Sequence, residues 1–151
     1  MSKPKSNILV ITEGVADREL TERLLKVYGI DEKFLRKNPD LPQLTLKEFF
    51  RRYKNELLII QAHPFRYGNE IVYHQHIHGI EIFNGNPRQE SRNHKAQALC
   101  KNHPKLCPIS ASDTHEKGDV ARGWIELKRP VSDSKQLRDM ILGREYELGK
   151  I

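Results

Sequence analysis

Sulfur and aromatic rings are scarce in this sequence. Two cysteines, Cys100 and Cys107, in 151 residues exclude a disulfide framework. One falls in a helical pattern and the other in a strand pattern, so both read as small buried apolar residues in a reducing compartment. Aromatic residues make up 7% and are not interleaved with basic ones, which argues against a stacking surface for single strands. No apolar stretch approaches membrane-spanning length. Residues 1–6 lack the apolar run of a signal peptide. A cytoplasmic protein without a membrane partner is therefore expected. No internal repeat and no low-complexity tract is visible.

What is present is an ordinary globular composition, 37% hydrophobic and 30% charged, in a length that suggests one domain. The 26 basic and 20 acidic residues give a formal charge of +6. That balance favours anionic partners such as phosphate esters or nucleic acid. The charges are interspersed, however, and no basic block marks a dedicated surface.

Several short apolar runs read as buried strands: Ile8-Leu9-Val10-Ile11, Leu57 to Gln61, Gly79 to Phe83, Leu106 to Ala111, and Trp124 to Leu127. Residues 16–25 carry a helical face in Leu20, Leu24 and Leu25, although Leu24 to Tyr28 could equally be a strand ended by Gly29. A short helix over 31–37 stops before Asn38-Pro39. Thr45-Leu46-Lys47-Glu48 is a capping box that opens a helix with Leu46, Phe49, Phe50 and Tyr53 on one face. Residues 91–101 are expected to be helical, with Ala96, Leu99 and Cys100 inward. Ser134 is expected to cap a last helix stopped by Gly143. Strands thus alternate with helices from residue 45 onward, which predicts an α/β fold with a mainly parallel sheet.

Two of these strands end in metal-capable side chains. Leu57 to Ile60 runs into Gln61-Ala62-His63-Pro64-Phe65, and Leu106 to Ala111 runs into Asp113-Thr114-His115. In α/β folds the carboxyl ends of the strands carry the chemistry. His63, Asp113 and His115 together offer two imidazoles and a carboxylate, a mixed set that suits Zn, Mn or Fe. A metal so held would activate water and neutralise a phosphoryl oxygen. Arg66 could hold a phosphate through its planar fork, and Arg122 is a second candidate. The structural alternative has Asp113 capping the next segment while both histidines bond backbone. His74, His76 and His78 alternate, as on one face of an extended chain, and read as an exposed loop or edge segment. His94 and His103 carry no expected role, and Trp124, Ile125 and Leu127 read as core.

These residues also carry a family likeness. Gln61-Ala62-His63-Pro64-Phe65-Arg66, then Gly79-Ile80-Glu81-Ile82-Phe83-Asn84-Gly85-Asn86, then Ser112-Asp113-Thr114-His115 and Ala121-Arg122-Gly123 resemble the PHP (polymerase and histidinol phosphatase) superfamily. Tyr28-Gly29-Ile30, Glu32-Lys33-Phe34-Leu35 and Asn38-Pro39-Asp40 resemble bacterial PHP-domain proteins as well. The likeness covers roughly residues 25–125. It implies a distorted (β/α)₇ TIM-like barrel with two or three metals that hydrolyses phosphate esters by metal-bound hydroxide. It implies His63, Asp113 and His115 as metal ligands, with Asp113 and His115 at the catalytic centre and Asn84 nearby without ligating; Arg66 and Arg122 are the residues whose guanidinium groups could reach the substrate phosphate. The substrate class would be a phosphorylated small molecule or nucleotide.

The departures from that pattern are informative. Neither the opening His-x-His strand nor the following Asp-His motif precedes residue 63. Ala16 stands where a bridging Glu would follow Gly14-Val15, with Glu13 and Asp17 only flanking it. Residues 1–151 therefore resemble a single incomplete PHP domain, its carboxyl-terminal portion. Fewer metal ions than the family norm are expected. An incomplete barrel leaves a sheet edge open, so a second copy or a complementing chain is an expected partner. The alternative reading is a catalytically inactive remnant that serves in binding or assembly.

Overall fold

The computed structural model describes residues 8–11, 32–66, 72 and 74–150. The expected segment at 16–25 and the Gly14-Val15-Ala16 positions lie outside the described residues. In chain order the elements are β1 (Ile8–Ile11), α1 (Glu32–Lys37), α2 (Leu46–Tyr53), β2 (Leu58–Gln61), β3 (Gly79–Asn84), α3 (Asn93–Asn102), β4 (Cys107–Ala111), β5 (Gly123–Leu127), α4 (Ser134–Leu142) and β6 (Tyr146–Lys150), with 3-10 turns at Leu41–Gln43 and Lys117–Asp119. No helix among the described residues is long and apolar enough to cross a membrane.

β2, β3 and β4 run parallel in that order, and β1 pairs parallel with the free side of β2. Every residue of β2 is buried, as expected of a parallel strand covered on both faces. Its side chains alternate between two cores. Ile59 joins Leu46, Phe49, Tyr53, Ile80 and Leu106 on the face covered by α2. Leu58 and Ile60 join Cys107, Ile141 and Tyr146 on the face covered by α4 and β6. Each fully buried aliphatic side chain contributes roughly 1.5–3 kcal/mol by leaving water, so the sheet is held from both sides. Gly79 allows β3 and β4 to close, since a Cβ there would meet the Cys107 carbonyl oxygen at 2.6 Å.

β5 and β6 depart from the expected rhythm. They form an antiparallel two-stranded ribbon, with Trp124 opposite Gly149 and Ile125 opposite Leu148. Among the described residues there is no closed barrel; the parallel strands form an open sheet. The ribbon is tied to the sheet by side chains, Ser110 Oγ donating to the Gly149 carbonyl at 2.7 Å and Tyr146 Oη to the Pro108 carbonyl at 2.7 Å. Trp124 is 40% exposed rather than in the core. Its indole lies over Gly149, where any Cβ would collide with the ring.

At α2 the capping box is complete: Thr45 Oγ1 accepts from the Glu48 N–H, and Glu48 accepts from the Thr45 N–H at 2.9 Å. At α4 the cap is Asp133, whose carboxylate accepts from the Gln136 N–H at 2.8 Å. Ser134, the expected cap, is instead buried as the first helical residue. The stop at Gly143 is a Schellman turn, with Glu145 N–H on the Met140 carbonyl and Arg144 N–H on the Ile141 carbonyl. The left-handed position belongs to Arg144 (φ 57°) and not to Gly143 (φ −77°).

Candidate functional site

The carboxyl ends of β2, β3 and β4 form one polar rim. β2 leaves the sheet through His63 and β4 through Asp113, and both residues adopt left-handed backbone, φ 46° and 51°. Asp and His tolerate that region better than most side chains, yet it is a sparsely used conformation for either. Such outliers cluster where a fold aims side chains at a ligand.

β3 supplies the centre of the rim through an irregularity. Its register with β4 slips between Glu81 and Phe83. In a regular strand residues three apart face opposite sides. Here the slip brings Asn84 Nδ2 to 3.1 Å from Glu81 Oε2. Asn93, the first residue of α3, pins the strand end: its Oδ1 accepts from the Asn84 N–H at 2.9 Å and its Nδ2 donates to the Asn84 carbonyl at 3.1 Å.

Three strand ends are wired together from this point. Glu81, buried at 5% exposure, takes the His63 backbone N–H at 2.7 Å and faces His63 Nδ1 at 2.9 Å. Asn84 Nδ2 also lies 2.8 Å from that ring nitrogen. Asn84 Oδ1 accepts from Arg66 Nη2 at 3.1 Å, from Ser91 Oγ at 3.1 Å and from the Asn86 N–H at 3.0 Å. Arg66 Nη2 continues to Asp113 Oδ2 at 2.7 Å, with both side chains largely out of solvent. Asn86 Nδ2 donates to the same Asp113 oxygen at 3.1 Å. Burial pushes the Asp113 carboxyl up, but hydrogen bonds from Arg66 and Asn86 and the nearby charges of His63 and Arg66 outweigh it and hold the group below the ordinary aspartate value.

His115 is the outlying member. Its side chain is 62% exposed, and its Nδ1 lies 2.8 Å from the Asp113 carbonyl. Its backbone N–H donates to Asp119 Oδ2 at 3.0 Å, as does that of Glu116 at 2.9 Å. Arg88 pairs with Asp119, and these contacts, the arginine first, drive that carboxyl far below its usual range.

The expected metal triad is thus not assembled. His63, Asp113 and His115 sit on the same rim, but no group of three or more His, Cys, Asp or Glu side chains among the described residues is arranged to hold a metal ion. Asp113 is engaged by a guanidinium, His63 by Glu81, and the His115 ring by a carbonyl. The residues as placed do not fit the metal centre that the family likeness implies.

The two expected phosphate binders also differ. Arg66 is committed to Asp113. Arg122 is half-buried beside Gly85, at the exit of β3, and has no ion pair or hydrogen bond with another described residue. It follows Ala121, itself left-handed at φ 59°, and the Ser112 hydroxyl clasps the next residue, donating to the Gly123 carbonyl at 2.8 Å.

Glu81, Asn86 and Ser91 were not expected at the site. The signal for Glu81 was legible: a carboxylate inside Gly79-Ile80-Glu81-Ile82-Phe83 must be buried with a partner. Nothing in the sequence alone marks Asn86 or Ser91. The alternating histidines also find partners. His74 stacks on His103 with centroids 4.0 Å apart, and His78 Nδ1 accepts from the Ile59 N–H at 3.0 Å. They line a cavity of about 630 Å³ with Phe50, Leu106 and Leu142, at the amino ends of β3 and β4, the opposite end from the rim.

Comparison with known proteins gives no match: no family model, no curated protein and no solved structure aligns with this chain.

Proposed function

We propose that this chain is a PHP-like domain that binds phosphate-ester ligands at its strand-end rim without hydrolysing them. The observation that carries this reading is the Arg66–Asp113 ion pair at 2.7 Å. It spends on each other the carboxylate that would hold a metal and the guanidinium that would hold a phosphate. A pair so far out of water costs several kcal/mol to break from one side, so it is a resting arrangement. Arg122, uncommitted at the same rim, is the residue left to meet an anion. The formal charge of +6 supports a phosphorylated small molecule or nucleotide as the ligand class. The open sheet of parallel strands is in keeping with an arc of a (β/α) barrel, and free thiols at Cys100 and Cys107 with a cytoplasmic setting.

A second reading, a metal-dependent phosphoesterase, is favoured by the left-handed backbone at both His63 and Asp113, which aims two metal-capable residues from β2 and β4, the strands on either side of β3. One experiment separates the two. The purified protein is analysed for bound metal, assayed on phosphomonoester and phosphodiester substrates with added manganese, and titrated with a nucleoside monophosphate. The binding reading expects no stoichiometric metal and no turnover above a His63→Ala control. It also expects a nucleotide affinity that falls about tenfold in Arg122→Ala, a loss typical of one charged contact. Manganese-stimulated turnover abolished by His63→Ala would overturn it.

A further inference from the structure

One nitrogen atom of Arg66 makes three contacts. Its Nη2 lies 2.7 Å from Asp113 Oδ2, 3.1 Å from Asn84 Oδ1 and 3.4 Å from Ser91 Oγ. The oxygens come from three separate segments: the exit of β4, the end of β3, and the turn before α3. An arginine that recognises a carboxylate normally does so through its fork, two parallel N–H bonds to two oxygens. This one does not. A single terminal nitrogen sits at the focus of three oxygens, and Nε is buried without a hydrogen-bond partner among the described residues. A buried donor left unpaired costs about 1–3 kcal/mol. The guanidinium is therefore acting as a point charge, at a position whose geometry does not suit its shape.

The surrounding groups are ordered for such a charge. The Ser91 hydroxyl gives its proton to Asn84 Oδ1 at 3.1 Å, which leaves the lone pairs of Oγ to face the arginine. Asn86 donates to both other members, through its N–H to Asn84 Oδ1 and through Nδ2 to Asp113 Oδ2, and so fixes them in place. Asn84 and Ser91 are themselves buried, at 5% and 6% exposure.

We propose that Arg66 is a built-in substitute for a metal ion: its terminal nitrogen fills an oxygen cradle formed by Asp113, Asn84 and Ser91, and removal of the arginine converts that cradle into a divalent-cation site. A carboxylate, an amide oxygen and a hydroxyl are hard donors, which select Mg²⁺, Mn²⁺ or Ca²⁺ over zinc. This donor set is not the imidazole-rich one that the sequence suggests, since neither His63 nor His115 belongs to it. With one formal negative charge, the vacated site binds weakly and completes its shell with water. The inference stands whether or not the rim takes a phosphate ester.

The test replaces Arg66 by Met, which keeps length and removes charge, and by Gln, which keeps polarity. Each variant and the parent are titrated with MnCl₂, following bound manganese by electron paramagnetic resonance and thermal unfolding by circular dichroism. Both variants are expected to bind manganese at least about tenfold more tightly than the parent, as removal of a like charge from the site requires. Their melting temperatures should rise with MnCl₂ while that of the parent does not. Adding Asp113→Asn to Arg66→Met should abolish the effect. Should both variants prove unfolded without metal, manganese is expected to restore their circular dichroism signal. Folded variants that bind no more manganese than the parent, or unfolded ones that manganese does not restore, overturn the proposal.

Discussion

His78 stands one residue before β3, and its ring does the work of a peptide group. Its Nδ1 accepts the Ile59 N–H at 3.0 Å, while its own N–H donates to the Ile59 carbonyl at 2.7 Å. The ring nitrogen can accept only while unprotonated. Burial, reinforced by the charge of Arg138, lowers its pKa from the ordinary 6.5 to about 4. A base whose pKa is depressed in the fold stabilises that fold while neutral. The contribution is complete above the unfolded value of 6.5 and is lost as pH falls from there through about 4. The imidazole is partly exposed, so solvent screening reduces the effect to on the order of 1–2 kcal/mol. Urea unfolding at pH 7 and pH 4.5 should show that loss, and His78→Gln should flatten it. Equal pH dependence in the two proteins would show that the titration belongs elsewhere. At this same scale the sequence exposed the site only in part. His63, Asp113 and His115 were legible as strand-end residues, and the structure places them on one rim. Their partners were not legible, because whether Asp113 meets a metal or Arg66 depends on side-chain directions that strand patterns do not encode.

Elements were more legible than sites where the local chemistry was self-contained. Thr45 and Glu48 lie three residues apart and satisfy each other, so α2 could be placed from the sequence alone. β6 could not. Tyr146-Glu147-Leu148-Gly149-Lys150 buries only Tyr146 well, and its partner is decided by contacts to β4 and β5 that sequence periodicity does not reveal. The end of α4 shows a third case. Glycine at 143 marked the stop, but the chain turns left-handed one residue later, at Arg144. A non-glycine residue there costs roughly 1–2 kcal/mol. The Arg144 guanidinium offsets this through the Leu106 carbonyl at 3.0 Å and the carbonyl of Pro104. Arg144→Gly removes strain and bonds together, whereas Arg144→Ala removes the bonds and keeps the strain. Chemical denaturation should therefore find the glycine variant more stable than the alanine variant by about 1 kcal/mol. An alanine variant as stable as the glycine one would mean that the turn is unstrained.

For the molecule as a whole the deciding feature is the outer edge of β1. Among the described residues β1 pairs only with β2, so no described strand covers its outer edge. An edge strand without a partner invites pairing with another strand. We predict self-association through this edge, which light scattering at increasing concentration should detect as a mass above the 17.6 kDa of one chain. A mass fixed at that value over the whole range would exclude it. The parallel sheet was foreseeable from strand–helix alternation, while the antiparallel ribbon was not: Trp124 to Leu127 looks like one more core strand until Gly149 is seen lying beneath the indole.

That indole is the lone tryptophan of the chain, and it reports on a narrow region. It is 40% exposed on the ribbon, outside both apolar cores. Its ultraviolet emission will therefore register separation of β5 from β6 and not loosening of the parallel sheet. A fluorescence melt of this protein would report the departure of the ribbon, and circular dichroism would be needed to see the rest unfold.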